Sequence, residues 1–231
     1  MSQRPIIDVI IPAYNEAYSI GLVVDEIPKD RVRNIVVSNN NSSDGTGEVA
    51  KEHGAMVVFQ PVAGYGNACL KAMEFIAQQE IKPDIIVFLD GDHSDHPEQL
   101  QDVVKPILDG KADMVIGSRA LGKSESGSLT PQQVFGNWLA TRLLKLFYGV
   151  KFTDLGPFRA IRYESLLSLE MNDPTYGWTV EMQIKAAKQK LRCTEVPVDY
   201  RVRIGRSKVS GTVKGTIGAG YKIIMTLFKY L

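Results

Sequence analysis

Apolar runs and helical apolar spacing alternate along the first half of the chain. Ile6-Ile7-Asp8-Val9-Ile10-Ile11 has the pattern of a strand, and Ile20, Val23, Val24 and Ile27 follow at helical spacing before Pro28. Ile35-Val36-Val37 and Ala55-Met56-Val57-Val58-Phe59 give a second and third strand, separated by a short helix. A helix follows over about Asn67–Gln79, then a strand at Asp84–Leu89, a helix over about Pro97–Leu108 and a strand at Asp113–Gly117. Strand and helix alternating through residue 118 predict an α/β fold, a mainly parallel sheet with helices on both faces. Ile85-Ile86-Val87-Phe88-Leu89 has no polar position, as expected of a strand buried on both faces. Pro12 is expected to stop ladder pairing at the end of the first strand.

The second half is less regular. Lys123–Thr130 is rich in Ser and Gly and reads as a mobile loop or lid. The helix predicted over Gln132–Tyr148 carries Val134, Phe135, Trp138, Leu139, Leu143, Leu146 and Phe147 around more than half its girth. Such a face implies deep burial or an apolar ligand. A short helix near Tyr163–Ser168 and another opening at Tyr176–Glu181 follow. In Cys193–Val202, Val196, Val198 and Tyr200 alternate with Pro197 and Asp199, and Pro197 makes this an edge strand. Thr212–Leu231 reads as a helix. At ~100° per residue, Ile217, Ile224, Leu227, Phe228 and Leu231 fall on one side and Lys214, Lys222 and Lys229 on another. That pattern suits an anionic membrane surface or docking on the protein's own core, and both stay open.

Polar loops follow four strands, at Pro12–Glu16, Asn39–Asp44, Gly64–Asn67 and Asp90–Ser94. The carboxyl ends of strands in an open α/β sheet are where ligands bind, so these loops are expected to gather along one edge. Asp90-Gly91-Asp92 puts two carboxylates around a residue with no side chain. Such a pair suits a divalent metal that itself holds phosphate, or forms a polar turn. Gly64 and Gly66, opening a helix, bring backbone N–H groups near a phosphate or make a turn. Asp44 or Thr46 is placed to cap the helix that follows it.

Composition narrows the class. The 231 residues, 44% hydrophobic and 23% charged, suit one α/β domain with elaborations, or at most two small ones, that buries its core without staples. Cys69 and Cys193 lie far apart and outside any Cys-x-x-Cys spacing, against a disulfide framework or zinc site. The N-terminus lacks a continuous signal-peptide core, and no stretch reaches the ~18 uncharged apolar residues of a spanning helix. A cytoplasmic location is expected, with peripheral contact to the cytosolic face of a membrane through the last helix. No nucleic-acid partner is expected. From Arg201 onward there are seven cationic side chains and no carboxylate, so within a net charge of +1 the rest of the chain carries −6. A basic tail on an acidic body implies an anionic partner or a solvated face.

Six segments then occur in order: Ile10-Ile11-Pro12-Ala13-Tyr14-Asn15-Glu16, Ser42-Ser43-Asp44-Gly45-Thr46, Asp90-Gly91-Asp92, Gly117-Ser118-Arg119, Asp154-Leu155-Gly156-Pro157-Phe158-Arg159 and Gly205-Arg206-Ser207-Lys208. With them the chain resembles family 2 glycosyltransferases of the GT-A fold over nearly its whole length. It is most similar to the dolichyl/polyprenyl-phosphate mannosyl- and glucosyltransferase branch. The resemblance implies a single GT-A glycosyltransferase domain over 1–231. Residues 1–118 would form the nucleotide-sugar half, 119–211 the acceptor half and 212–231 an amphipathic helix. It implies a UDP- or GDP-sugar donor held by Pro12, Ala13, Tyr14, Glu16, Asn39, Asp44, Gly64, Gly66, Asp90, Gly91 and Asp92, with Mg²⁺ or Mn²⁺ on Asp90 and Asp92.

Transfer with inversion follows, and Asp92 counts as catalytic through the metal. A phosphate acceptor needs cations and no base, with Arg119, Arg201, Arg203, Arg206 and Lys208 available. A hydroxyl acceptor needs a general base, for which Asp154 and Glu181 are the candidates. The expected acceptor is a polyprenyl or dolichyl phosphate, and the alternative is a saccharide or other hydroxyl acceptor in glycan or glycolipid synthesis. Asn39-Asn40 stand where members often carry two Asp, and Tyr65 where many carry Lys. A sugar nucleotidyltransferase would need a Gly-rich loop where this chain has Pro12-Ala13-Tyr14-Asn15-Glu16, and a non-catalytic subunit would not need Asp90 and Asp92.

Overall fold

The computed structural model describes residues 4–205 and 213–231, the first turns of the last helix by backbone alone. Seven strands form one sheet: β1 (Ile7–Ala13), β2 (Asn34–Asn39), β3 (Met56–Phe59), β4 (Ile85–Phe88), β5 (Met114–Ser118), β6 (Arg159–Arg162) and β7 (Cys193–Pro197). Their order is β3-β2-β1-β4-β6-β5-β7. All neighbours are parallel except β6, which runs antiparallel to both β4 and β5. The helices are α1 (Ile20–Glu26), α2 (Thr46–Glu52), α3 (Tyr65–Ala77), α4 (Leu100–Leu108), α5 (Pro131–Tyr148), α6 (Tyr163–Ser168), α7 (Trp178–Lys188) and α8 (Val213–Lys229).

The expected mainly parallel sheet with helices on both faces is present. Alternate residues of each central strand feed two separate cores. Val9 and Ile11 of β1, with Ile85 and Val87 of β4, pack with α1 and α4. Ile10, Ile86 and Phe88 point the other way, toward α3, α5 and α7. This two-sided burial explains the unbroken apolar run of β4, at about 1.5–3 kcal/mol for each fully buried large side chain. Cys69 and Cys193 are unpaired.

Several expectations are corrected. β1 continues through Pro12 to Ala13, paired with β2 at Pro12↔Ser38 and Ala13↔Asn39. Its pairing with β4 ends at Ile10↔Phe88, so Pro12 sits where β1 has one neighbour left and its missing N–H costs little. β6 was not expected. It is four residues long, flanked by arginines, and too short to carry a period. Strand β7 does lie at the sheet edge, but ends at Pro197.

Helix α5 starts with a capping box, in which the Thr130 hydroxyl accepts from Gln133 N and the Gln133 side chain accepts from Thr130 N. Gly149, in the left-handed region at φ 70°, closes it. Its broad apolar face is not deeply buried. Ala140 and Leu144 are in the core, whereas Val134, Phe135, Trp138 and Leu146 are at least half exposed. Helix α8 docks on the protein: Thr226 and Leu227 are buried, and Tyr148 Oη donates to the Leu227 carbonyl. Tyr221, Met225 and Phe228 of α8 remain exposed. The loop read as a lid is tied to segment 199–202, with Glu125 N donating to the Tyr200 carbonyl and Lys123 N to Asp199 Oδ1. Among the described residues no helix is long and apolar enough to cross a membrane.

Candidate functional site

The four polar loops meet at one edge of the sheet, joined by hydrogen bonds. Loops β1 and β2 are linked where Asn15 N donates to Ser42 Oγ (2.9 Å), Glu16 N to Thr46 Oγ1 (2.9 Å) and Ala17 N to Asp44 Oδ2 (3.1 Å). Asn40 Nδ2 donates to the Gln60 and Val62 carbonyls, tying the β2 loop to the β3 loop. Ser19 Oγ donates to the Gly91 carbonyl, and Tyr65 Oη donates to Asp90 Oδ1 (3.1 Å). The Asp90-Gly91-Asp92 turn is therefore gripped from both sides.

Several expected ligand contacts have structural partners of their own. Burial would raise the Asp44 carboxyl, but hydrogen bonds from Thr46 and Ala17 outweigh it and hold its pKa low. No side chain caps α2; Asp44 instead binds the two loops together. Asn39 Oδ1 accepts from Ser42 N. Gly64 and Gly66 owe their identity to a chain crossing. A Cβ on Gly64 would stand 2.2 Å from the Pro174 carbonyl oxygen, and one on Gly66 1.8 Å from that of Asp173. Gly64 N already donates to Asn40 Oδ1. Pro12 and Ala13 end β1, and Tyr14 stands half exposed after them.

The acidic turn is short of positive charge. Burial, reinforced by the charge on Asp92, pushes Asp90 up to about 7. Burial also drives Asp95 well above the usual carboxylate range, with Asp90 adding to it. Asp95 Oδ1 is buried with no hydrogen-bond partner. Asp92 Oδ1 accepts from Ser94 N (3.0 Å) and Ser94 Oγ, while Oδ2 faces the Arg203 guanidinium at 2.9 Å. Arg203 also bonds Glu16 Oε1 at 2.8 Å. Clustered hard oxygens with raised proton affinity and an unpartnered buried oxygen are donors of the kind Mg²⁺ or Mn²⁺ takes, although among the described residues no group of three or more His, Cys, Asp or Glu side chains is arranged to hold a metal. Arg201 braces the turn from behind: its guanidinium donates to the His93 and Asp95 carbonyls and pairs with Glu26. It does not line the cavity described next.

A cavity of about 450 Å³ adjoins the turn. Asp90, Asp92, Tyr65, Arg119, Arg203 and Tyr200 contribute its polar lining; Leu155, Pro157 and Ile223 are among its apolar residues. Arg119 is held rigidly. Its backbone N and Nε donate to Asp154 Oδ2 (both 2.8 Å) and Nη2 to Oδ1 (2.7 Å), and the guanidinium lies 5.0 Å from the Tyr200 ring centroid. Burial would lower the Arg119 pKa, but the Asp154 carboxylate more than offsets it, and the cation stays charged.

Asp154 is thus a holder of Arg119, absent from the cavity lining, and in turn Glu195 accepts from the backbone N–H groups of Thr153 and Asp154. Glu181 lies elsewhere. Its buried carboxylate accepts from Asn172 N, Asp173 N and Tyr230 Oη and pairs with Lys185. Neither carboxylate is among the residues that line the cavity. The expectations for Arg206 and Lys208 lie outside the described residues.

Sequence reasoning missed Tyr65, Asp95, Arg159 and Tyr200. Tyr65 had a signal, since it occupies the position between the two glycines. Arg159, in β6, is buried and donates to the Leu155, Gly156 and Thr179 carbonyls, fixing the cavity wall from within. Burial pulls its pKa down to about 10.

Comparison with known proteins identifies the family and the fold. The family model described as Glycosyl transferase family 2 matches residues 8–169. A dolichyl-phosphate hexose transferase of Haloferax volcanii is 32% identical over 207 residues, 87% of this chain and 85% of that protein. The glycosyltransferase AglJ of the same organism is 31% identical over 196 residues, 84% of this chain, which spans 63% of AglJ's length. Among solved structures, glucosyl-3-phosphoglycerate synthase from Mycobacterium tuberculosis, in complex with Mn²⁺, UDP-glucose and phosphoglyceric acid, superposes with a TM-score of 0.78 at 26% identity, over 98% of this chain and 79% of that one. Such solved neighbours are glycosyltransferases of the GT-A fold.

Proposed function

The chain belongs to glycosyl transferase family 2, and from that premise we propose that it moves a hexose, of glucose or mannose type, from a UDP- or GDP-sugar to a polyprenyl or dolichyl phosphate. The observation that carries this reading is the make-up of the cavity. Beyond Asp90 and Asp92, its described lining includes no carboxylate, and it contains two arginines. A phosphate acceptor arrives as an anion and needs cations, whereas a hydroxyl acceptor needs a base.

Asp90 and Asp92 would hold Mg²⁺ or Mn²⁺, which when bound neutralises the departing nucleoside diphosphate. Arg119, fixed by Asp154, offers its guanidinium to the acceptor phosphate. An acceptor phosphate oxygen bonds to the anomeric carbon as the bond from that carbon to the diphosphate breaks, and configuration inverts. Loops after β1 and β2, with Pro12, Ala13, Tyr14, Glu16, Asn39 and Asp44, would flank the nucleoside. Residues 1–118 then serve the donor and 119–211 the acceptor within one domain.

The lipid part of the reading draws on what lies beside the cavity. Gly136 and Ile223 line it, and they belong to α5 and α8, whose outer faces expose Phe135, Trp138 and Phe228. The rings of Phe147 of α5 and Phe228 of α8 pack at 58° to one another with centroids 5.5 Å apart, joining the two helices' apolar faces. A prenyl chain leaving the cavity would meet these residues, and the protein would work as a peripheral protein on the cytosolic face of a membrane. The named activity of the dolichyl-phosphate hexose relative supports the same acceptor class.

The test is a panel of UDP- and GDP-hexoses with Mn²⁺ or Mg²⁺ and short-chain polyprenyl phosphate. A labelled, acid-labile lipid-phosphate sugar is the expected product. Transfer to a soluble hydroxyl acceptor such as 3-phosphoglycerate, with none to the lipid phosphate, would favour the hydroxyl-acceptor alternative.

A further inference from the structure

Arg203 stands where a metal's charge is needed. Its Nη1 lies 2.9 Å from Asp92 Oδ2 and its Nη2 2.8 Å from Glu16 Oε1, while Nε is buried without a hydrogen-bond partner. The guanidinium is only partly buried, yet its Nε is shielded from solvent and unbonded, so the protein leaves this cation incompletely paired. Arg119 makes the contrast, with Nε and Nη2 both bonded to one carboxylate. Arg203 is nevertheless delivered to this place by the backbone. Arg201 N donates to the Ser94 carbonyl (2.9 Å) and Ile204 N to the Asp92 carbonyl (3.0 Å), so segment 201–204 is zipped along the acidic turn.

We propose that Arg203 is a resident counter-cation that occupies the Asp92 carboxylate in the free protein and yields it when metal and nucleoside diphosphate arrive together. The inference rests on the proposed metal role of Asp90 and Asp92. A divalent ion coming alone must displace a bonded guanidinium, which keeps its Glu16 contact but gains no anion in exchange for Asp92. With the diphosphate present, the released guanidinium gains phosphate oxygens, which it binds well. Metal and nucleotide therefore bind cooperatively, and the metal–diphosphate complex is the species the free site accepts. The coupling is reciprocal, so each ligand tightens the other equally.

Titrating Mn²⁺ into the full chain by electron paramagnetic resonance, with and without saturating UDP or GDP, tests this. In the wild type, Mn²⁺ alone binds weakly and nucleotide tightens it. In Arg203→Gln, Mn²⁺ alone binds about tenfold tighter than in the wild type, a coupling of ordinary size, and the nucleotide effect shrinks. Arg203→Lys keeps the charge and falls between them. In chelator, Arg203→Gln melts lower because Asp92 and Glu16 lose the guanidinium that bridges them, and Mn²⁺ recovers the loss.

Unchanged or weaker Mn²⁺ binding in a folded Arg203→Gln, or a melting loss that Mn²⁺ does not recover, overturns the proposal while leaving the metal site standing. Absence of Mn²⁺ binding in the wild type even with both nucleotides overturns the metal reading and this proposal together.

Discussion

Two arginines reach the same cavity and are held in opposite ways. Arg119 is clasped by one carboxylate through three hydrogen bonds and stacked on Tyr200, and its partner Asp154 is itself fixed by Gln183 and Glu195. Arg203 touches two carboxylates of two different loops once each and leaves Nε unpaired. The first is an ion pair closed within the protein, with both carboxylate oxygens engaged. The second joins groups that a metal would otherwise separate. Preorganised charge suits an acceptor anion that must be aimed, and exchangeable charge suits a donor that brings its own counter-ion.

The largest effect should come from removing the negative side of the exchangeable pair. Asp92→Asn is expected to lower kcat by about 10²- to 10³-fold through lost leaving-group stabilisation. Mn²⁺ binding should weaken in parallel. A near-normal kcat would break the contrast by making Asp92 a partner for Arg203 and nothing more.

A smaller effect separates holder from base on the other side. Asp154→Asn keeps the shape but weakens the grip on Arg119, which should cost about 10- to 100-fold in kcat/KM for the acceptor. The pH–rate profile should keep its limbs, and Arg119→Lys should mimic the loss. If instead Asp154→Asn abolishes turnover and removes the acidic limb of the profile, Asp154 is a base and the acceptor is a hydroxyl.

The donor side of this contrast was legible in the sequence, and the acceptor side only in part. Val9, Ile11, Ile85 and Val87 alternate with Ile10, Ile86 and Phe88 between two cores, so the strands announced themselves, and the polar loops had to follow them. The Asp90-Gly91-Asp92 turn stood out because two carboxylates flank a glycine at the end of a strand with no polar position. What could not be read was pairing between distant segments. Arg119 meets Asp154 across 35 residues, and Arg203 meets Glu16 across 187. Such contacts depend on β6 inserting antiparallel between β4 and β5, and a four-residue strand with arginines at both ends has no periodicity to reveal it. The surroundings of Glu181 were hidden for the same reason: its partners Asn172, Asp173 and Tyr230 come together only after folding.

The smallest expected effect concerns stability rather than rate, and it probes how far the acidic turn is short of charge. Asp90 titrates near 7 in the metal-free fold, chiefly through burial, against an ordinary value of 3.8. The native state therefore binds a proton that the unfolded chain has already lost between those two values. Its contribution to stability is complete below about 4 and disappears as pH rises through about 7. Denaturant unfolding in chelator should show the protein losing on the order of 1–3 kcal/mol from this group between pH 5 and pH 8. Asp90→Asn, which cannot ionise, should reduce that slope, with buried Asp95 keeping its own share. Saturating Mn²⁺ should reverse it, because a cation that binds the ionised carboxylates stabilises the fold more as protons leave. A wild-type slope that matches that of Asp90→Asn would mean Arg203 already neutralises the turn in full, and the two arginines would then differ in geometry but not in kind.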